Sequence, residues 1–159
     1  VQESTFLQPV KRDVCGGHLK QAYEPLVLSG PDRNVERIGA FVAWVVSNHL
    51  LESVLEKRAG SAVARLRMQD MTGPEFLTTV LDGHLAPEHL TETGRDFAET
   101  YLRSGRFVDD FAECTYEGEH EWQRYDEISP RITRAFQAFR EPVSVVRRVA
   151  KILKFPTRH

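Results

Sequence analysis

The chain has 159 residues, two cysteines and a formal net charge of −2, a size that supports one hydrophobic core without help from disulfides or metals. Cys15 and Cys114 are too few for a secreted disulfide scaffold and have no metal-ligand spacing, so a reducing, cytoplasmic compartment is expected. The small net charge hides an asymmetry: residues 131–159 carry eight cations against Glu141 alone, whereas Asp109 to Glu127 carries eight carboxylates against Arg124 alone.

Residues 1–13, VQESTFLQPVKRD, lack the charged and then apolar regions of a secretory signal. Gly16-Gly17, Pro25 and the Ser29-Gly30-Pro31-Asp32 cluster make residues 1–35 an irregular segment, with room for a short strand pair or helix near 18–28. A helix is predicted from Glu36 to Ala59, with Gly60 at its C′ position. Within it, IGAFVAWVVSNHLL at 38–51 is apolar around nearly its whole circumference and too short to cross a bilayer, the mark of a buried central helix. A short helix at 61–69 follows. Thr72-Gly73-Pro74-Glu75 then has the capping-box spacing ahead of Phe76, Leu77 and Val80, and Asp82-Gly83 ends that unit.

A further helix begins near Thr91, with Phe97, Tyr101 and Leu102 inward. Gly105 interrupts it before Phe107, Val108 and Phe111. The next runs from about Trp122 to Arg140, with a dent or restart at Ser129-Pro130, and Pro142 opens a last helix to about Phe155. Ile132, Phe136, Phe139, Val143, Val146, Ala150 and Leu153 recur at helical spacing with the basic residues mostly off the stripe. The expected fold is all-α: an irregular segment at 1–35, a helical core domain at 36–141 and a basic amphipathic helix at 142–159.

Motifs of known chemistry do not occur: there is no HExxH, no phosphate-cradling glycine loop, no GxSxG and no paired CxxC. Glu119-His120-Glu121 is the nearest approach to a metal set, but adjacent helical residues diverge and cannot meet at one ion. His84 and His89 flank Pro87 as turn-surface histidines. His49 and Asn48 lie in the apolar helix, where a buried imidazole needs a hydrogen-bond partner; a core role is expected rather than a catalytic one. Neither catalytic residues, nor a metal, nor a cofactor is expected.

The acidic region is either a solvated face, balancing the basic tail, or a surface for a cationic partner. Interleaved aromatics favour the second, because carboxylates steer a partner in while aromatic anchors hold it. The candidate partner-binding residues are Asp109, Asp110, Phe111, Glu113, Tyr116, Glu117, Glu119, Glu121 and Trp122.

Four segments carry a family resemblance. Gly39, Phe41, Ala43 and Trp44 form a G-x-F-x-A-W helix; Glu75, Phe76, Asp82 and Gly83 match a T-P-G-E-F-like turn leading to a D-G turn. Leu90, Gly94, Phe97, Ala98 and Tyr101 match a third element, and Trp122, Tyr125 and Asp126 a closing W-x-x-Y-D helix. Together these resemble an uncharacterised bacterial domain family, with two departures: Gly73-Pro74 reverses the usual order, and His49 stands where glycine is common. Proteins of this kind are similar to ones encoded beside polymorphic or secretion-delivered toxins. The resemblance implies an immunity protein that occludes a cognate toxin, one whose active-site cleft would be cationic if its substrate is anionic. A nucleic-acid-binding module on the Arg-rich tail is the alternative, disfavoured by the negative net charge, and a metal-dependent hydrolase around Glu119 to Glu121 is third. No membrane partner is expected.

Overall fold

In the computed structural model, Tyr23 and residues 31–141 are the described part of the chain. Seven helices form there: α1 (Pro31–Ser47), α2 (Ser53–Arg58), α3 (Gly60–Arg67), α4 (Gly73–Thr79), α5 (Glu92–Arg103), α6 (Arg106–Ala112) and α7 (Glu121–Arg140), with a 3-10 turn at Pro87–His89. Among the described residues there is no strand, just an isolated antiparallel bridge between Leu51 and Leu90. The all-α expectation holds. The predicted helix after Pro142, and the N-terminal strand pair, lie outside the described residues.

Helix α1 is the centre. Every residue from Ile38 to Val46 is buried, because α4, α7 and α3 pack around it and leave no side for water. Phe41 and Trp44 enter an aromatic cluster with Phe97 and Tyr101 of α5, Phe107 of α6 and Phe136 of α7. The one polar group of Trp44, its indole N–H, donates to Thr133 Oγ1 of α7 at 3.0 Å, so burying the ring leaves no donor unpaired.

Two glycines set the α1–α4 crossing. A Cβ on Gly73 would stand 1.9 Å from the Gly39 carbonyl oxygen, and one on Gly39 would stand 2.5 Å from the Pro74 nitrogen. The backbones touch there. The Thr72 capping box forms as its spacing predicts, with Glu75 N–H donating to Thr72 Oγ1 at 3.3 Å and Thr72 N–H to Glu75 Oε2 at 2.7 Å. The cap fixes the start of α4 and so delivers Gly73 to Gly39.

The single helix predicted for 36–59 is two. It starts earlier, at Pro31, since proline's fixed φ suits a first turn. It ends at Ser47, where Leu50 N–H reaches back to Val45 O at 3.0 Å and His49 takes φ +57°. This is the geometry of a helix stop whose C′ residue is left-handed and usually glycine. His49 is therefore not in the core; its side chain is 71% exposed, and Asn48 binds locally through Nδ2 to Trp44 O at 2.8 Å. Arg67 closes the break, donating to Val46 O from Nε at 3.2 Å and Nη2 at 3.0 Å and pairing with Glu56 at 2.6 Å. Gly60 follows the Ala59 C-cap of α2, the C′ position predicted for it, but it is not left-handed and opens α3 at once.

His49→Gly is expected to raise stability by about 1 kcal/mol, because a Cβ in the left-handed region costs roughly 1–2 kcal/mol and Arg67 keeps its other two acceptors. His49→Val should lower it. Urea unfolding midpoints of the two variants decide the matter, and a fall with glycine would contradict the backbone argument.

Helix α7 runs unbroken through Pro130, where a dent was predicted. Buried Ile128, Ile132 and Ala135 bracket the exposed proline and hold the helix against α1.

Candidate functional site

The acidic stretch spans α6, the 113–120 connection and the first turn of α7, and the fold divides it. Gly105, at φ +80°, turns the chain sharply from α5 into α6, and two residues apart on that helix Asp109 and Phe111 point away from each other into different clefts. Asp109 borders one of about 380 Å3, with Tyr101, Ser104, Arg106, Ala135 and Phe139. Phe111, Tyr116 and Glu117 border another of about 460 Å3, with Glu36, Arg37, Ala112, Cys114 and Arg124. The nine predicted contact residues thus do not share one face.

Several of the carboxylates serve the fold. Asp110 accepts from the Tyr101 hydroxyl at 2.7 Å and lies 3.9 Å from Arg106; burial, then this bond, pushes the Tyr101 phenol far above its usual range. Glu113 pairs with Arg131 of α7. Glu127 accepts from Thr115 N at 2.7 Å and ties the connection to α7. Arg124 lies 3.2 Å from Glu36 and 3.6 Å from Glu121 and donates to Gly118 O at 2.9 Å. Burial raises the Glu121 carboxyl despite Arg124. Acid and base therefore meet across α6 and α7, one of the basic partners being Arg131 from the predicted tail.

Asp109, Glu117 and Glu119 are exposed, and their carboxylates make no hydrogen bond or ion pair with another described residue. Tyr116 lies flat over Gly118, where a Cβ would meet its hydroxyl at 2.2 Å, and accepts from His120 N–H at 3.3 Å. Phe111 is half-buried, edge-on to Phe107 at 5.9 Å, with the Arg37 guanidinium 5.6 Å above its ring. Trp122 packs on the core and against Tyr125, and its indole N–H is buried without an acceptor. Arg37 was missed in the sequence, where a cation in the first turn of the helix predicted from Glu36, just ahead of the apolar run, reads as ordinary surface.

A family model described as a domain of unknown function, DUF7832, matches residues 13–126. The chain belongs to the DUF7832 family. Comparison with the curated proteins and with the solved structures finds no match. The DUF7832 match includes Tyr23, which the sequence placed in an irregular segment and the fold buries. Tyr23 N–H donates to Leu85 O at 2.9 Å, its hydroxyl lies 3.4 Å from Arg95 O, and burial above all pushes its phenol up to about 12. The match ends before Ile128, Ile132 and Ala135, so core residues of α7 lie beyond the matched part of the DUF7832 domain.

Glu119, His120 and Glu121 do not converge, and no group of three or more His, Cys, Asp and Glu side chains among the described residues is placed to hold a metal ion. No described helix is long and apolar enough to cross a membrane. Cys15 lies outside the described residues; the half-buried Cys114 thiol is pushed up by burial first.

His84 and His89 sit with ring centroids 6.4 Å apart. Nδ1 of His89 accepts from Ala86 N–H at 3.0 Å, folding the 3-10 turn that leads to the Leu51–Leu90 bridge. Burial, with His84 and Arg58 adding to it, lowers the His89 pKa. A folded-state pKa below the unfolded one, near 6.5, contributes stability that is present above about pH 6.5 and lost as pH falls through the folded value. Urea midpoints at pH 7.5 and 5.5 should therefore fall more for the parent than for His89→Gln, whose amide oxygen can still accept from Ala86. Equal falls would refute the assignment.

Proposed function

We propose that the DUF7832 domain is a non-enzymatic binding module of the immunity type, which neutralises a cationic protein toxin by occluding its active site. The observation that carries this reading is the pairing of exposed, unpartnered Glu117 and Glu119 with the aromatic cleft of Phe111 and Tyr116. Free carboxylates supply the steering field, and fixed rings supply contact area with little ordering cost. Of the nine predicted contacts, Asp110, Glu113 and Glu121 have internal partners, Trp122 packs on the core and Asp109 borders the other cleft. The contact surface contracts to Phe111, Tyr116, Glu117 and Glu119. Immunity rather than binding in general comes from the resemblance of the four sequence segments.

The experiment is co-expression with the toxin candidate encoded by the adjacent gene. Growth should be restored and the two chains should purify as a stoichiometric complex. A metabolic neighbourhood, or protection without a complex, overturns the reading.

A further inference from the structure

The larger cleft contains a cation that pairs with no carboxylate among the described residues. The Arg37 side chain makes no hydrogen bond or ion pair with another described residue; the nearest carboxylate in sequence, Glu36, is taken by Arg124. Its Nη1 is buried without an acceptor, and its guanidinium is held over Phe111. Native proteins rarely leave a buried donor unpaired, and because Nη1 is closed to solvent, a ligand in the cleft would meet this uncompensated guanidinium through its other N–H groups. A cleft of about 460 Å3 is the size of a small-molecule site.

We propose that this cleft binds a small monocarboxylate with a planar apolar body, the carboxylate on Arg37 and the body against Phe111, Ala112 and Tyr116. Guanidinium N–H groups match a planar carboxylate in geometry and charge. The Phe111 ring fixes the guanidinium plane before the ligand arrives, which lowers the ordering cost. Glu36 and Glu117 in the same wall select against a doubly charged anion such as phosphate. Arg124 sits beside the site but is engaged by Glu36, Glu121 and Gly118, so Arg37 carries the recognition. The cleft shares Phe111, Tyr116 and Glu117 with the surface proposed for the toxin, but carboxylate binding at Arg37 needs no toxin and is tested without one.

The test is calorimetric titration of the full chain with benzoate and, separately, with inorganic phosphate. Benzoate should bind saturably at one site and perturb the backbone amides of residues 36, 37 and 111–117 in nuclear magnetic resonance spectra. Phosphate should bind at least tenfold more weakly. Arg37→Gln should weaken benzoate at least tenfold, with Arg37→Lys, which keeps the charge, recovering part of the loss. Arg95→Gln, remote from the cleft, should change nothing. No benzoate binding, binding unaffected by Arg37→Gln or equally affected by Arg95→Gln, or phosphate as the tighter ligand would each overturn the proposal. If Arg37→Gln fails to fold, Arg37→Lys and the amide map decide it.

Discussion

Gly73→Ala is expected to destabilise the domain by on the order of 3 kcal/mol or more, above the ordinary range for an overpacked side chain. The added Cβ would sit 1.9 Å from the Gly39 carbonyl oxygen, and neither atom belongs to a flexible side chain that could step aside. Relief requires α4 to move away from α1, which would open the packing of Phe76 and Leu77 against that helix. Gly39→Ala should behave alike, with Pro74 as the obstacle. Gly60→Ala is the control: nothing lies within 4 Å of its would-be Cβ, and alanine in α3 should be neutral or stabilising by up to about 1 kcal/mol. Urea unfolding read by tryptophan fluorescence separates the three. A Gly73→Ala protein as stable as the parent would mean that the two backbones are not in contact.

The second large effect is on association. Reversing Glu117 and Glu119 to Lys should slow binding to a cationic partner at least tenfold with little change in melting temperature, because neither side chain has an internal partner to lose. The effect should shrink with salt, since screening reaches down to about 10 Å at 0.1 M. Reversing Asp110, Glu113 and Glu121 should instead lower the melting temperature, as each then faces its former partner Arg106, Arg131 or Arg124 with like charge. Asp109→Lys, on the other cleft, should do neither to a large extent. Tyr116→Ala should raise the dissociation rate, costing about 2 kcal/mol if the ring is an anchor. A doubly reversed, folded protein that binds and protects like the parent would exclude this surface.

The sequence alone determined the helical class, the burial of 38–46, the Thr72 cap and the inward set Phe97, Tyr101 and Leu102. Each rests on local rules: periodicity, capping spacing and all-round apolarity. The break at His49 escaped those rules because Leu50 and Leu51 prolong the apolar run past the helix end; the stop is made by a left-handed residue that is not glycine, and Arg67, eighteen residues on, supplies the capping donors. The resemblance did mark the position, as one where glycine is common. Similarly, Gly39 and Gly73 stood out as motif residues, but their meaning is a contact between backbones distant in the chain, which no local pattern encodes. At the acidic stretch, sequence order placed nine candidates together. Tertiary structure decided that Asp110, Glu113 and Glu121 hold the fold, that Asp109 faces another cleft and that Arg37 joins Phe111, because which charges are neutralised depends on which helices pack and not on which residues are neighbours in the chain.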